Sequence, residues 1–257
     1  MKVISFNANG IRSAARKGFF DWLQQENADI VCIQETKAQE DQLINDPTFY
    51  PYEYCYYVSA EKKGYSGVAI YSKIKPVKVI KELGYELADQ EGRFIQLDFE
   101  GFSVVSLYLP SGTSGDHRQD IKYKFLDKFE NDYLEKIISN KEKVIICGDI
   151  NIAHKNEDIK NWKANQKNSG FLPEERAWLD KIFDNLGLVD AFRVVNQEKD
   201  QYTWWSNRGK AWANNVGWRI DYQIITPNLK EKIKAENKIF RDIKFSDHAP
   251  LILNYDL

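Results

Sequence analysis

The sequence predicts an α/β fold in which two mostly antiparallel sheets pack face to face beneath covering helices. Three observations carry that reading. Short, β-branched apolar runs recur along the 257 residues, and many end in Gly, Asn, Asp or Glu. Between residues 54 and 109 these runs follow one another with little room for helix, which calls for antiparallel pairing. Segments with helical spacing, 121–138 and the one opened by Pro173, separate the later strands.

The elements follow in order. A first strand, 2–6, breaks at Asn7-Ala8-Asn9-Gly10, and 19–25 then carries Phe19, Phe20, Trp22 and Leu23 at helical spacing. The run 29–34 is a second buried strand and delivers Glu35 at its end. Strands at 54–59, 67–72, 77–82, 94–99 and 102–109 come next, followed by a long surface helix over 121–138. Residues 143–147 form a strand that Gly148 ends, so Asp149 and Asn151 emerge at its C-terminal edge. On an extended chain, positions two apart point the same way. An irregular polar segment, 153–170, precedes the helix that runs from Pro173 through Trp178, Ile182 and Phe183 towards Gly187. Strands at 202–205, 219–226 and 251–255 complete the chain. With no internal repeat, flexible linker or low-complexity tail, one domain over 1–257 is expected.

Bulk properties narrow the class. No apolar run is long enough to span a bilayer, and residues 2–6 read as a strand rather than a leader, so no membrane association is expected. Three cysteines, far apart and two of them in apolar runs, read as reduced core thiols of an intracellular, cytoplasmic protein. A net charge of −2 gives no global case for nucleic acid, so any such case rests on local patches.

Six strand ends carry groups that a core would reject: Asn7 with Asn9, Glu35, Tyr108, Asp149 with Asn151, Asp221, and Asp247 with His248. Each alone suits a turn; the recurrence points to one site. Oxygen and amide donors with a single His and no Cys cluster suit a hard divalent cation rather than zinc. Glu35, with no basic partner nearby in sequence, is the leading ligand. Phosphodiester hydrolysis requires a placed water, neutralised phosphate oxygens and help for the leaving oxygen, and the set holds a group for each. Residues 201–220 contain no acid, yet hold Arg208, Lys210 and Arg219 with Trp204, Trp205, Trp212 and Trp218. That mixture suits a phosphate backbone and an exposed base or sugar, although lone tryptophans serve a core equally well. Residues 8–20 add Arg12, Arg16 and Lys17, again without an acid.

Seven motifs then fall in a familiar order: Phe6-Asn7-Ala8-Asn9-Gly10-Ile11-Arg12, Gln34-Glu35-Thr36-Lys37, Tyr108-Leu109-Pro110, Gly148-Asp149-Ile150-Asn151-Ile152-Ala153, Gly170-Phe171-Leu172-Pro173-Glu174-Glu175-Arg176, Gly217-Trp218-Arg219-Ile220-Asp221-Tyr222 and Ser246-Asp247-His248-Ala249-Pro250. Along nearly its whole length the chain resembles the exonuclease III family of abasic-site endonucleases, within the endonuclease/exonuclease/phosphatase superfamily. The resemblance implies a four-layer α/β sandwich acting as a monomer on double-stranded DNA with abasic or 3′-blocked sites. It implies Mg2+, with Mn2+ able to substitute, and cleavage 5′ to the abasic site with 3′-end trimming. In residue terms, it implies that Glu35 holds the metal with Asn9 and Asp247 close by, and that Asp149 and Asn151 stand next to it. Asp149 would deprotonate the water, Asn151 would fix the water or the phosphate, and His248 paired with Asp221 would stabilise charge. Asn7 and Tyr108 would contact the phosphate, and Trp204, Trp218 and Ile220 would line the sugar pocket. Two departures stand out: Ser111 replaces the family's Asn or Gln, and the loop 112–118 lacks an evident Arg for insertion into the duplex. The competing readings are a phosphodiesterase of the same fold acting on undamaged DNA, phospholipid or inositol phosphate, and a binding protein without catalysis.

Overall fold

The computed structural model describes residues 1–257 and places most of the strands in two six-stranded sheets. The first contains β1 (Lys2–Asn7), β2 (Ile30–Gln34), β3 (Tyr54–Val58), β4 (Val68–Ser72), β13 (Ile233–Ile239) and β14 (Leu251–Tyr255), in the order β13-β14-β1-β2-β4-β3. The second contains β5 (Lys78–Ile80), β6 (Phe94–Phe99), β7 (Phe102–Tyr108), β8 (Val144–Asp149), β9 (Val189–Asp190) and β12 (Asp221–Ile225), in the order β5-β6-β7-β8-β12-β9. A small ribbon pairs β10 (Trp204–Trp205) with β11 (Gly217–Trp218). Each sheet is mixed, with one parallel pair, β1–β2 and β7–β8, among antiparallel neighbours.

Side-chain alternation explains the layers. In β1, Val3 points between the sheets while Ile4 and Phe6 face the helices Ile11–Arg16 and Phe19–Glu26. In β8, Ile145 and Cys147 fill the middle layer while Val144 and Ile146 meet the helices Asp116–Phe129 and Pro173–Asp180. Both faces are apolar, so these strands read in sequence as unbroken hydrophobic runs. Buried polar links also join the sheets near the site: Gln34 Nε2 donates to Ser106 Oγ at 3.0 Å, and Gln223 Nε2 donates to the Val3 and Leu251 carbonyls at 3.1 Å.

The predicted long helix differs in detail. It starts at Asp116, widens to a π turn over Glu130–Leu134 and resumes at Glu135–Ser139. It also buries Lys122 and Glu130, so it is not simply a surface helix. The strand Ile233–Ile239 was not expected; it is a sheet edge whose alternate residues are exposed and charged, which blunts further pairing.

The parallel pairs position the site. They bring the C-terminal ends of β1 and β2, and of β7 and β8, to one edge, with Asn7 opposite Gln34 and Tyr108 opposite Asp149. β12 runs antiparallel to β8, so its first residue, Asp221, pairs with Asp149 at the same edge. Asp247 and His248 enter there just ahead of β14.

Candidate active site

Two strand ends fold alike. Asn7 Oδ1 accepts from the Asn9 N–H, and Asp149 Oδ1 accepts from the Asn151 N–H, each at 2.9 Å. Asn9 and Asn151 take left-handed backbone, with φ of 42° and 56°. These are Asx-type turns, which Asn and Asp tolerate well. The paired side chains therefore meet through a turn and not through strand alternation, which corrects the sequence-based expectation.

The two turns lock together. Asn7 Nδ2 donates to Asp149 Oδ2 and to Glu35 Oε1, both at 2.8 Å. Asn7 is fully buried, so it orients the two carboxylates and does not reach a substrate. His248 Nδ1 lies 2.8 Å from Asp221 Oδ2, and its Nε2 lies 3.9 Å from Asp149 Oδ2. Asn151 Nδ2 donates to the Leu109 carbonyl at 2.9 Å, which holds the amide beside the Asp149 turn. Tyr108 is braced by Arg93, whose guanidinium lies 4.6 Å from the ring centroid and donates to the Tyr108 carbonyl at 2.9 Å.

The electrostatics follow from this packing. Burial, then the charge of Asp221, pushes the Asp149 carboxyl up to about 8, with His248 opposing. Burial disfavours a charged His248, but Asp221 outweighs it and raises the imidazole to about 10. His248 is thus a cation at neutral pH. For Glu35, burial acts upward, yet Lys37 and Asn7 hold the carboxyl below its ordinary range. Burial, then the neighbouring Glu35 charge, keeps the Tyr108 phenol well above its ordinary value, so it remains a donor.

Lys37 corrects a second expectation. Glu35 has a basic partner two residues on: Lys37 Nζ lies 2.7 Å from Glu35 Oε2 and also donates to Asn9 Oδ1. Those oxygens are already arranged around a positive charge, so the donor set fits a cation. Ligand atoms of Glu35, Asp149 and His248 also lie within 4.8 Å of one another. His248 is a poor ligand as long as Asp221 holds the ring protonated, because Nε2 then carries a proton in place of a free lone pair. Asp247 joins the set through Asn9 Nδ2 at 2.9 Å, while its other oxygen lies 3.2 Å from Trp204 Nε1.

These groups line an open groove of about 1120 Å³, with Trp204, Trp218 and Ile220 on one wall and Arg208 and Lys167 among its basic residues. Trp204 and Trp218 meet edge to face at 6.0 Å, and both are half-buried. They lie on the β10–β11 ribbon, so Trp218 and Asp221 stand on different strands. Arg12 and Lys210 are exposed but lie outside the groove lining. Trp212 packs on Trp205 at 4.4 Å, away from the groove. Arg219 is not a DNA contact: it is 1% exposed and pairs with Asp158 and Asp190, both at 2.8 Å. Ser111 lines the groove, and Arg118 turns instead to Tyr65 and Glu91. Sequence reasoning missed Lys37 as a member of the site, although its i+2 spacing from Glu35 was a signal. Lys167 sits in an irregular polar run that offered none.

Residues 4–248 match the Endonuclease/Exonuclease/phosphatase family. The chain belongs to that family. An exodeoxyribonuclease of Bacillus subtilis is 43% identical over 99% of this chain and 100% of its own length. A DNA-(apurinic or apyrimidinic site) endonuclease of Dictyostelium discoideum is 38% identical, covering 100% of this chain and 71% of its own. The solved structure of an AP endonuclease from Archaeoglobus fulgidus superposes over 100% of both chains with a TM-score of 0.87 at 30% identity. As a member of this family the chain is an enzyme, a nuclease-type hydrolase, and its two helix-flanked sheets are the family's α/β sandwich.

Proposed function

We propose that this hydrolase is a Mg2+-dependent DNA repair nuclease, with Mn2+ able to substitute, that cuts duplex DNA 5′ to abasic sites and trims 3′ ends. The observation that carries the reading is the joining of the Asn7–Asp149 and Asp221–His248 pairs to an aromatic-walled groove. The family relatives, named as exodeoxyribonuclease and abasic-site endonuclease, support the same substrate.

Asp149, held by Asn7 and the Asn151 N–H, takes the proton of a water placed with help from Asn151. The water attacks phosphorus in line, and the bond to the 3′ oxygen breaks. His248, kept cationic by Asp221, and the protonated Tyr108 donate to phosphate oxygens as charge grows on them. Glu35, with Asn9, Asp149 and Asp247, would hold the ion. When bound, it neutralises charge on the phosphate and the leaving oxygen. Phospholipid chemistry on the same fold is disfavoured by the tryptophan wall and by Arg208 beside it. The test is an abasic duplex incubated with Mg2+ or with chelator. One Mg2+-dependent cut 5′ to the site, leaving a 3′-hydroxyl, supports the reading; turnover of phospholipid or intact DNA alone overturns it.

Two variants probe the parts. Glu35→Gln is expected to lose activity at low Mg2+ and to recover part of it at high Mg2+ or with Mn2+. A metal titration identical to the parent's would remove Glu35 from the ion site. Trp218→Ala is expected to retain Mg2+ dependence and to lose roughly 5- to 150-fold in abasic cleavage, from about 1–3 kcal/mol of lost aromatic contact. Unstacking is easiest where pairing is absent, so cutting of an intact-base duplex should fall less. Equal losses on both substrates with a large fall in Tm would make Trp218 a packing residue only.

A further inference from the structure

The motif Gly170-Phe171-Leu172-Pro173-Glu174-Glu175-Arg176 stands out in the sequence, yet none of its side chains enters the chemistry above. Its sixth residue, Glu175, is wholly buried, and so is its partner Lys122, 2.5 Å away. Stability alone is a weak reason for such a pair, because desolvation offsets the attraction and apolar residues serve as well. What the pair holds is backbone. Glu175 Oε2 accepts from the N–H groups of Gly170 at 2.6 Å and Leu172 at 3.0 Å. Lys122 Nζ donates onward to the Asn151 carbonyl at 2.8 Å. The two anchored segments also touch. Gly170 sits at φ +92°, and a Cβ there would lie 3.0 Å from Trp218 Cζ3 and 3.1 Å from Asn151 O. One buried pair therefore secures both the left-handed turn at Asn151 and the floor beneath Trp218.

We propose that Lys122 and Glu175 are positioning residues, which hold the Asn151 turn and the Trp218 wall in register and so tie the fit of the sugar to the rate of hydrolysis. The inference rests on the nuclease reading above. Misplacement of a reacting group by about 1 Å can cost on the order of 100-fold in rate, so the pair acts on kcat.

The test is the double variant Lys122→Met/Glu175→Gln. It removes both charges and leaves an amide oxygen for the Gly170 N–H. The expected result is a folded protein whose kcat on an abasic duplex falls about tenfold or more while KM stays near the parent's. Faster amide exchange at Gly170 and Leu172 should accompany that loss. A folded variant with the parent's kcat overturns the proposal. Should the double variant fail to fold, Glu175→Gln alone is assayed at temperatures where circular dichroism finds it fully folded. A kcat loss that persists there supports positioning, and one that vanishes on cooling overturns it in favour of stability alone. If the parent itself leaves the abasic duplex uncut, the nuclease reading has failed, which is a separate outcome.

Discussion

Asp149→Asn is expected to lower kcat by on the order of 10²–10⁴, the usual consequence of losing a general base. The substitution keeps the shape, and the side-chain oxygen remains available to the Asn151 N–H, which it accepts at 2.9 Å. What disappears is the basic oxygen, and with it a negative charge near the phosphate, so DNA affinity should hold or rise. The pH profile is a second readout. Activity should climb with pH as the raised Asp149 carboxyl loses its proton and should decline as His248 loses its own near about 10. In Asp149→Asn the acid limb should vanish. A variant that binds DNA poorly yet turns over normally would contradict the assignment.

Asp158→Ala should have the largest effect on stability. Asp158 accepts from Arg219 Nε at 2.8 Å and Nη2 at 3.1 Å, both residues being buried, and from the half-buried Arg193 through Nη2 at 2.7 Å. Removing one partner of a buried pair typically costs about 3–5 kcal/mol, and the substitution would leave the buried Arg219 with Asp190 as its one remaining acidic partner. For a chain of this size that is a fall in Tm of roughly 6–20 °C. Burial raises the Asp158 carboxyl, but Arg219 and Arg193 outweigh it and hold the group well below its ordinary range. A depressed native pKa gives stability that is complete above the unfolded value of about 3.9 and is lost as pH falls through the native one. The acid limb of the parent's stability curve should therefore flatten in Asp158→Ala. An unchanged Tm would mean that Arg219 is not tied down as the geometry has it, and its reading as a DNA contact would return.

Particular residues explain what the sequence disclosed and what it hid. Asn7, Glu35, Asp149 and His248 were legible because polar groups recur at the ends of buried strands, and a turn accounts for each one alone but not for the whole set. Both faces of β1, β2 and β8 are covered, so these strands announced themselves as apolar runs. Arg219 misled because its neutralising acids, Asp158 and Asp190, lie far away in sequence, and a local acid-free stretch says nothing about them. Lys122 and Glu175 are hidden for the same reason, being 53 residues apart. The convergence of Asn7 with Asp149 spans 142 residues, and only the stacking of two sheets supplies it. The left-handed turns at Asn9 and Asn151 were also out of reach, since strand periodicity gives a direction but not the backbone that follows the strand ends at Asn7 and Asp149.

The central claim is hydrolysis by a water that Asp149 activates, and one turnover in water enriched in oxygen-18 tests it most directly. Enzyme in excess over an abasic duplex, with Mg2+, should yield a 3′-hydroxyl and a 5′ sugar phosphate carrying one oxygen-18 atom. Asp149→Asn should give the same labelled product far more slowly. An unlabelled phosphate, or a cut on the 3′ side of the site by elimination, would contradict the account.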